Sequence, residues 1–146
     1  MVTVRQLLED KGRAVWSVQA DASVFEALSL MAQQEIGALL VLDGDEPVGM
    51  LSERDYARKI VLVGRASRDT QVADIMSTTV VHVSPDETVR ECMGIMTERK
   101  IRHLPVMEYG RVVGMVSIGD LVKSIIAEQE FVIAQMTSYI NGAALA

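Results

Sequence analysis

Apolar residues recur along this chain with two alternating periods. Residues 24–31 are apolar at intervals of three and four, which predicts a helix with one buried face. Residues 38–42 and 48–51 are short apolar runs on either side of Asp43-Gly44-Asp45, which predicts a β-hairpin. A short strand is predicted before the helix, at residues 16–18. The pattern therefore predicts the order strand, helix, strand, strand.

The same pattern returns 65 positions later without a gap. The identical pairs include Val18 and Val83, Asp21 and Asp86, Met31 and Met96, Gly49 and Gly114, Ser52 and Ser117, and Asp55 and Asp120. The predicted elements of the second copy are a strand at 80–83, a helix from Thr88, strands at 104–107 and 112–116, and a helix from Ser117 towards Tyr139. Such self-similarity indicates two copies of one folding unit.

The helix ends carry their own signals. Ser23 with Glu26, and Thr88 with Glu91, have the spacing of capping boxes at the starts of the two long helices. Gly37 follows the first of these helices and is predicted to end it, since glycine tolerates left-handed backbone angles. In the first copy, a further helix is predicted from Ser52 to about Gly64.

One copy alone is too small to bury a stable core. We therefore expect an α/β (α+β) fold in which two β-α-β-β-α repeats pack sheet to sheet about a pseudo-two-fold axis, with flanking N- and C-terminal helices. The predicted division is residues 1–64 for the first repeat with its lead-in. Residues 65–146 hold a linker, the second repeat and a long C-terminal helix.

Composition and charge narrow the functional classes. The chain is 49% hydrophobic and 23% charged, as in ordinary soluble proteins, and it has a single cysteine. With no signal-like start and no membrane-spanning run, a cytoplasmic protein without membrane contact is expected. A net charge of −6 argues against nucleic-acid binding. Local basic clusters around Arg54, Arg58 and Arg102 suit a small anion, although they can equally be solvated helix faces.

The residues predict neither catalysis nor a metal site. His82 and His103 lack metal-ligand spacing, and no nucleophile with a matching base is evident. Cys92 falls on the apolar stripe of its helix and is predicted to be a buried thiol. We therefore expect a protein that is not an enzyme.

The candidate chemistry lies in a motif present in both copies. Gly49 to Asp55 and Gly114 to Asp120 share a glycine, two apolar residues, a serine, two variable residues and an aspartate, where a strand leads into a helix. A helix N-terminus offers free N–H groups to a phosphate, and an aspartate can accept hydrogen bonds from a ribose diol. Ser-x-x-Asp is also an ordinary helix cap, and both interpretations remain open here.

This motif resembles the element that closes each repeat of the CBS (cystathionine-β-synthase-type) domain family. Residues 102–106, Arg-His-Leu-Pro-Val, resemble the segment that leads into the middle strand of that family. Residues 72–76 and, more weakly, residues 4–8 resemble its lead-in to each repeat. The resemblance covers nearly the whole chain and implies a stand-alone pair of CBS domains.

The resemblance implies a regulatory module that binds an adenine nucleotide in clefts between the repeats. AMP, ADP or ATP is expected, with NAD(H) or S-adenosylmethionine as further possibilities. By analogy Asp55 and Asp120 hold the ribose, with Ser52 and Ser117 near ribose or phosphate. Adenine would contact the backbone near Ser17, Val18, Val81 and His82.

Further ligand contacts are expected from the basic clusters. The run from Ser52 to Lys59 resembles CBS pairs seen with AMP and NAD(H), which adds Arg54 and Arg58 to the implied site. Arg102 and His103 are predicted to face a phosphate. Leu104 and Pro105 follow them in the resembling segment and complete the predicted set.

The final helix predicts self-association. Its apolar stripe, from Leu121 to Ile140, is longer than one repeat needs and is expected to pack against another subunit. A homodimer is also what the resemblance implies. The regulated target would be a separate, unknown protein. The alternative function is a dimeric scaffold that binds partners and whose nucleotide only stabilises the fold.

Overall fold

The computed structural model describes the backbone of residues 1–145 and the side chains of residues 1–142. The helices are α1 (Val4–Lys11), α2 (Val24–Gln34), α3 (Glu53–Tyr56), α4 (Val89–Arg99) and α5 (Ile118–Leu145). The strands are β1 (Ser17–Gln19), β2 (Ala38–Asp43), β3 (Glu46–Ser52), β4 (His103–Glu108) and β5 (Arg111–Ser117). A π-helical turn, Ala57–Val61, continues α3, and a 3₁₀ turn covers Val72–Asp74. The predicted mixed α/β class is confirmed.

The chain forms two compact units. The first unit is Ala14–Val81, and the second unit combines Met1–Arg13 with the residues from His82 onward. This grouping differs from the predicted ranges 1–64 and 65–146. Residues 72–73 hydrogen-bond to residues of the first copy, while Val4 donates to the carbonyl of Glu87 at 2.8 Å. Residues 72–76, which lead into the second copy, therefore belong to the first unit. Residues 4–8, which lead into the first copy, belong to the second unit.

The first unit is built on a three-stranded sheet. Strand β1 runs parallel to β2, which pairs antiparallel with β3. The predicted hairpin is confirmed, and Gly44 supplies the positive φ (65°) that its tight loop needs. The buried core beside this sheet consists of Val24, Ala27, Met31, Leu39, Val41, Leu51, Ile60, Val72 and Ile75.

The second unit repeats the hairpin but not the first strand. Strands β4 and β5 pair antiparallel, whereas the predicted strand at 80–83 is reduced to one bridge between Val83 and Val106. Two prolines explain the loss. In the first unit the amides of Leu40 and Ala20 donate ladder bonds, and the equivalent positions hold Pro105 and Pro85, which have no N–H.

The helix ends follow the predictions only in part. Thr88 and Glu91 form the complete capping box. The Ser23 hydroxyl accepts a hydrogen bond from the amide of Glu26. A capping box also needs a bond from the Ser23 amide to the Glu26 carboxylate, and that bond is not among the contacts of these two residues. The prediction for Gly37 is wrong, because helix α2 ends earlier, at Glu35, which takes the left-handed conformation with φ 53°.

Candidate functional site

In the first unit the Ser-x-x-Asp element forms a closed cap at the start of α3. Ser52 donates to Asp55 Oδ2 from its amide (2.9 Å) and from its hydroxyl (3.1 Å). The Asp55 amide donates back to Ser52 Oγ at 3.2 Å. Lys59 Nζ lies 3.3 Å from Asp55 Oδ1 and donates to the carbonyl of Ile75 at 2.8 Å. Both carboxylate oxygens of Asp55 therefore have protein partners.

The second unit repeats this geometry with a lysine from another element. The Ser117 amide donates to Asp120 Oδ2 at 2.8 Å, and the Asp120 amide donates to Ser117 Oγ at 3.2 Å. Lys11, the last residue of α1, donates to the same Oδ2 and to the carbonyl of Met115, each at 2.7 Å. The interpretation of both motifs as helix caps is therefore confirmed, and the ligand role of the aspartates stays a prediction.

Asp120 is a half-buried carboxylate stabilised in its charged form. Burial alone would raise the pKa of this group, but the hydrogen bonds from Lys11 and Ser117 outweigh burial and hold the pKa below its ordinary value of 3.8. An ionised carboxylate accepts hydrogen bonds only, which is the state that could receive two sugar hydroxyls.

The backbone N–H groups at the N-termini of α3 and α5 are less available to a ligand than the sequence predicts. The amides of Glu53 and Ile118 donate to the carbonyls of Gly37 and Arg102, at 3.0 and 2.8 Å. The amides of Asp55 and Asp120 are taken by the serine hydroxyls described above. Two of the first three amides of each helix are thus occupied by the protein. The expectation of free N–H groups is wrong for these amides, so a phosphate would depend mainly on side chains.

The motif glycines serve close packing. A Cβ on Gly49 would lie 2.7 Å from both the sulfur of Met76 and the backbone oxygen of Ser77. A Cβ on Gly114 would lie 2.7 Å from a methyl group of Leu8. In each unit the missing side chain therefore lets a lead-in segment lie against the strand that carries the serine.

The other predicted residues of the first unit lie on two elements. Ser17 and Val18 are half-buried on β1, where they pair with Leu40 and Val41. Arg54 and Arg58 are exposed on the helical segment that also carries Asp55. Val81 is half-buried at the end of the unit, and the structure gives it no place on a named strand.

In the second unit the strand pairing brings several predicted residues together. His103 pairs with Ser117 across β4 and β5, and Arg102 is exposed immediately before His103. Leu104 and Pro105 are both buried in β4, and as neighbours on one strand their side chains point to opposite faces of the sheet. His82 is exposed beside Val83.

Lys11 is the residue that sequence reasoning missed. Its position and that of Lys59 are not equivalent in the repeat: a shift of 65 places Lys11 on Met76 and Lys59 on Ser124. Both lysines lie in the first copy of the sequence, but the exchange of lead-ins gives each structural unit one of them, at a different position. Searching each copy for a lysine that the other lacks is the signal that could have identified both.

Each unit has a cavity in its own part of the described chain. One of about 630 Å³ lies in the second unit between α1 and α5 and includes Lys11 and Asp120 in its wall. One of about 370 Å³ lies in the first unit, and its wall contains Gln19, Ala20, Asp21, Asp43, Val48, Gln71, Ala73 and Met76. Only the first of these cavities includes a predicted ligand-binding residue, Asp120.

Cys92 is buried as predicted. Burial, with smaller contributions from Glu87 and Glu91, raises the pKa of its thiol to about 12, from an ordinary 9.0. Among the side chains described, no group of three His, Cys, Asp or Glu residues could hold a metal ion. Within the same part of the chain, no helix is long and apolar enough to cross a membrane.

Comparison with known proteins extends the resemblance seen in the sequence. The profile of the CBS domain family matches residues 2–62 and 72–127. The chain is 35% identical over 150 residues to the CBS domain-containing protein CBSX3, mitochondrial, of Arabidopsis thaliana, covering 96% of this chain and 72% of that protein. Because that relative is named as mitochondrial, the cytoplasmic location stays a prediction.

Solved structures share the fold. A protein with CBS domains from Burkholderia ambifaria is 50% identical to this chain and superposes with a TM-score of 0.85. The match covers 88% of this chain and 96% of that one. The CBS domain pair of MJ0100, solved with 5′-methylthioadenosine and S-adenosyl-L-methionine, has a TM-score of 0.74 over 85% and 99% of the two chains. It is 22% identical, so this likeness shows the fold. With both repeats matched by the profile, this chain belongs to the family of CBS-domain proteins.

Proposed function

We propose that this chain is a regulatory module that binds an adenine nucleotide and catalyses no reaction. AMP is the proposed ligand, with ADP and ATP as close relatives and NAD(H) as a further candidate. Proteins of this family are generally regulatory modules. The observation that carries the proposal is the pair of matching caps, in which Ser52–Asp55 and Ser117–Asp120 hold a carboxylate in the same geometry.

Asp120 is the stronger of the two proposed ribose acceptors. The hydrogen bonds from Lys11 and from the Ser117 amide both fall on its Oδ2. Both oxygens of Asp55 are engaged, so Lys59 would have to move before a sugar hydroxyl could donate to Oδ1. We therefore expect nucleotide to bind more tightly through Asp120 than through Asp55.

Basic side chains would hold the phosphate. Arg102 is exposed one residue before His103, which itself pairs with Ser117. A charge-assisted bond from a guanidinium to a phosphate is roughly twice as strong as a neutral one. Since most of the first helical amides are occupied, these side chains carry more of the proposed phosphate recognition than the helix dipole does.

Adenosine as the shared chemical class is supported by the MJ0100 pair, whose two ligands both contain it. In the proposed mechanism the nucleotide acts by biasing conformations of the module and so the response of a separate target protein. A micromolar affinity corresponds to about 8 kcal/mol, and only the part that differs between conformations can shift their populations.

The test is a binding series on the full chain. Thermal melting with AMP, ADP, ATP, NADH and S-adenosylmethionine identifies the ligand class, and calorimetry then measures its affinity. We expect Asp120→Asn to weaken AMP binding at least tenfold and Asp55→Asn to weaken it less. Asp69→Asn, an exposed aspartate outside the motif, is the matched control. Absence of any melting shift with all five compounds would rule out the proposed function.

A second candidate function is a scaffold that binds partner proteins. It is favoured by the exposed apolar side chains of α5, which include Ile133, Met136 and Ile140 at 60–63% exposure. A chain that assembles normally but gives no melting shift with any nucleotide would support the scaffold over the sensor.

A further inference from the structure

The helical segment after Asp55 ends in three consecutive exposed aliphatic residues. Val61, Leu62 and Val63 are 55%, 77% and 61% exposed, whereas Ile60 before them is buried. Isolated exposed apolar residues are common on soluble proteins, but a run of three is seldom left in water without a function. This run lies in the first unit and shares no residue with α5.

The π-helical turn at Ala57–Val61 keeps this run exposed. In an α-helix, the residues three and four positions after the buried Ile60 would lie on the same side of the helix as Ile60. Here the amide of Leu62 instead donates five residues back, to the carbonyl of Ala57 at 3.1 Å. The wider turn leaves Val63 exposed, and π-helical turns are frequent at functional sites.

Basic side chains flank this run in the sequence. From Arg54 to Arg68 the chain has five basic residues and one acidic residue, although its net charge is −6. Arg58, Arg65 and Arg68 are exposed. None of the ion pairs found among the side chains of residues 1–142 involves these three arginines. The three guanidinium groups are therefore available to carboxylates of another molecule.

The loop that follows the run is held by α2. The Phe25 amide donates to the carbonyl of Ser67 at 3.0 Å, and the Val24 amide donates to the carbonyl of Thr70 at 2.8 Å. The Arg68 guanidinium lies 3.8 Å from the centre of the Phe25 ring. Stacking uses one face of the guanidinium and leaves the N–H groups at its edge able to bind a carboxylate. A partner would therefore meet a loop that is already fixed, which lowers the entropic cost of docking.

The repeat itself does not require this combination of residues. The positions equivalent to Val63 and Arg65 in the second copy hold Glu128 and Glu130, within the continuing helix α5. One copy thus carries an apolar and a basic residue where the other carries two acidic ones. The surface at residues 61–68 is therefore a property of the first unit alone.

We infer that the surface formed by residues 61–68 docks an acidic, amphipathic segment of a partner protein. The aliphatic run would meet the apolar face of that segment, and Arg65 and Arg68 would pair with its carboxylates. A phosphate compound would account for the arginines but would leave the aliphatic run in water. An anionic membrane is disfavoured, because its extended plane would also approach the acidic remainder of the chain. The inference does not depend on nucleotide binding.

The first experiment selects ligands for the immobilised full chain from a library of short random peptides displayed on phage. Peptides that combine aliphatic or aromatic residues with an excess of Asp and Glu over Lys and Arg are expected to be enriched. Selection against Leu62→Ser is expected to lose them, because this variant removes the most exposed side chain of the run. Tyr109→Ser removes a side chain that is 95% exposed in the second unit, and this matched control is expected to retain them.

The second experiment measures the affinity of a synthetic copy of the most enriched peptide by fluorescence anisotropy. Leu62→Ser and Arg65→Glu are each expected to weaken binding at least tenfold, and added salt is expected to weaken wild-type binding. Arg90→Glu makes the same charge reversal at an exposed position of α4 and is expected to leave the affinity unchanged. A peptide with lysine in place of its acidic residues is expected to bind Arg65→Glu better than the wild type.

Five results would overturn the inference. Three come from the peptides: no enrichment, enrichment without an acidic excess, and an affinity that Leu62→Ser leaves unchanged. Co-sedimentation with phosphatidylserine vesicles that Leu62→Ser abolishes would assign the surface to a membrane. A mass in solution that Leu62→Ser lowers would assign it to a second copy of the chain. Circular dichroism on each variant separates lost docking from lost folding, and a substitution at the exposed Leu62 is expected to keep the fold.

Discussion

The two Ser-x-x-Asp elements reach the same result by different routes. In the first unit the lysine beside the carboxylate comes from the next helical turn, four residues after Asp55. In the second unit it comes from α1, 109 positions away from Asp120. In both units a lysine lies beside the aspartate and balances its charge, but the lysine comes from a different element in each unit. The two repeats therefore share a paired carboxylate, although the paired lysines are not at equivalent positions of the repeat.

The motif glycines should give the largest difference between the units. Gly49→Ala meets the backbone oxygen of Ser77, which cannot move without breaking its strand-like pairing with Met50. We expect a loss of about 2–3 kcal/mol in the free energy of unfolding. Gly114→Ala meets only the flexible end of Leu8 and should cost about 1 kcal/mol. Urea denaturation measures both, and equal losses would show that the two lead-in contacts are equivalent.

Removal of the lysines tests the comparison directly. Lys11→Met leaves Asp120 without its closest cation and should destabilise the chain by about 1 kcal/mol. Lys59→Met removes a more exposed i, i+4 pair and should cost about 0.5 kcal/mol. A double-mutant cycle of Lys11→Met with Asp120→Asn isolates the pair, and a coupling energy near zero would contradict the assignment.

The ion pair of Lys11 with Asp120 should also affect how the free energy of unfolding falls at acid pH. The folded pKa of Asp120 lies below its unfolded value, so the unfolded chain binds the proton more readily. The stabilisation is therefore complete above pH 3.8 and is lost as pH falls through the folded pKa. Lys11→Met should flatten this loss, measured by urea denaturation across the acid pH range, and an acid limb as steep as that of the wild type would contradict the assignment.

Cys92 should give the free energy of unfolding the opposite pH dependence, with a loss at high pH. Its equivalent in the first unit is Ala27, which is equally buried. Because the folded pKa of Cys92 is raised to about 12, the unfolded chain loses this proton first as the pH rises above 9.0. Stability should then fall by up to about 1.4 kcal/mol per pH unit. Cys92→Ala is expected to remove this slope at a cost of about 1 kcal/mol at neutral pH.

The hairpin loops should give the smallest effect. Gly44 and Tyr109 occupy equivalent positions, and both have positive φ, 65° and 53°. Tyrosine is strained there, whereas asparagine tolerates the left-handed region and precedes Gly110 in a favoured Asn-Gly turn. Tyr109→Asn should therefore stabilise the chain by about 0.5 kcal/mol, measured as a higher urea midpoint. A lower midpoint would mean that the tyrosine ring makes a contact worth more than the strain.

Elements defined by periodicity or turn chemistry could be read from the sequence. The hairpins, the N-caps at Ser23 and Thr88, and the family were all predicted correctly. Failures arose where a distant partner decided the outcome. The first strand of the second copy depends on donors that Pro85 and Pro105 lack, and that becomes visible only when the ladder is known.

The candidate site shows the same limit. The sequence identified Ser52, Asp55, Ser117 and Asp120 because the repeat preserves them. The contact of Lys11 with Asp120 could not be predicted, since the two residues are 109 positions apart and nothing local connects the end of α1 with the start of α5. The end of α2 at Glu35 was also unpredictable from propensity, because a non-glycine residue there adopts the left-handed conformation.

The exchange of lead-ins affects how the chain is made on the ribosome. Residues 14–81 are contiguous and can complete their core as soon as they have emerged. Helix α1 emerges before them, yet its buried Val4, Leu7 and Leu8 belong to a unit whose remaining residues begin at His82. Translation therefore leaves the apolar face of this amphipathic helix uncovered while at least about 70 further residues are added, which takes several seconds at typical elongation rates.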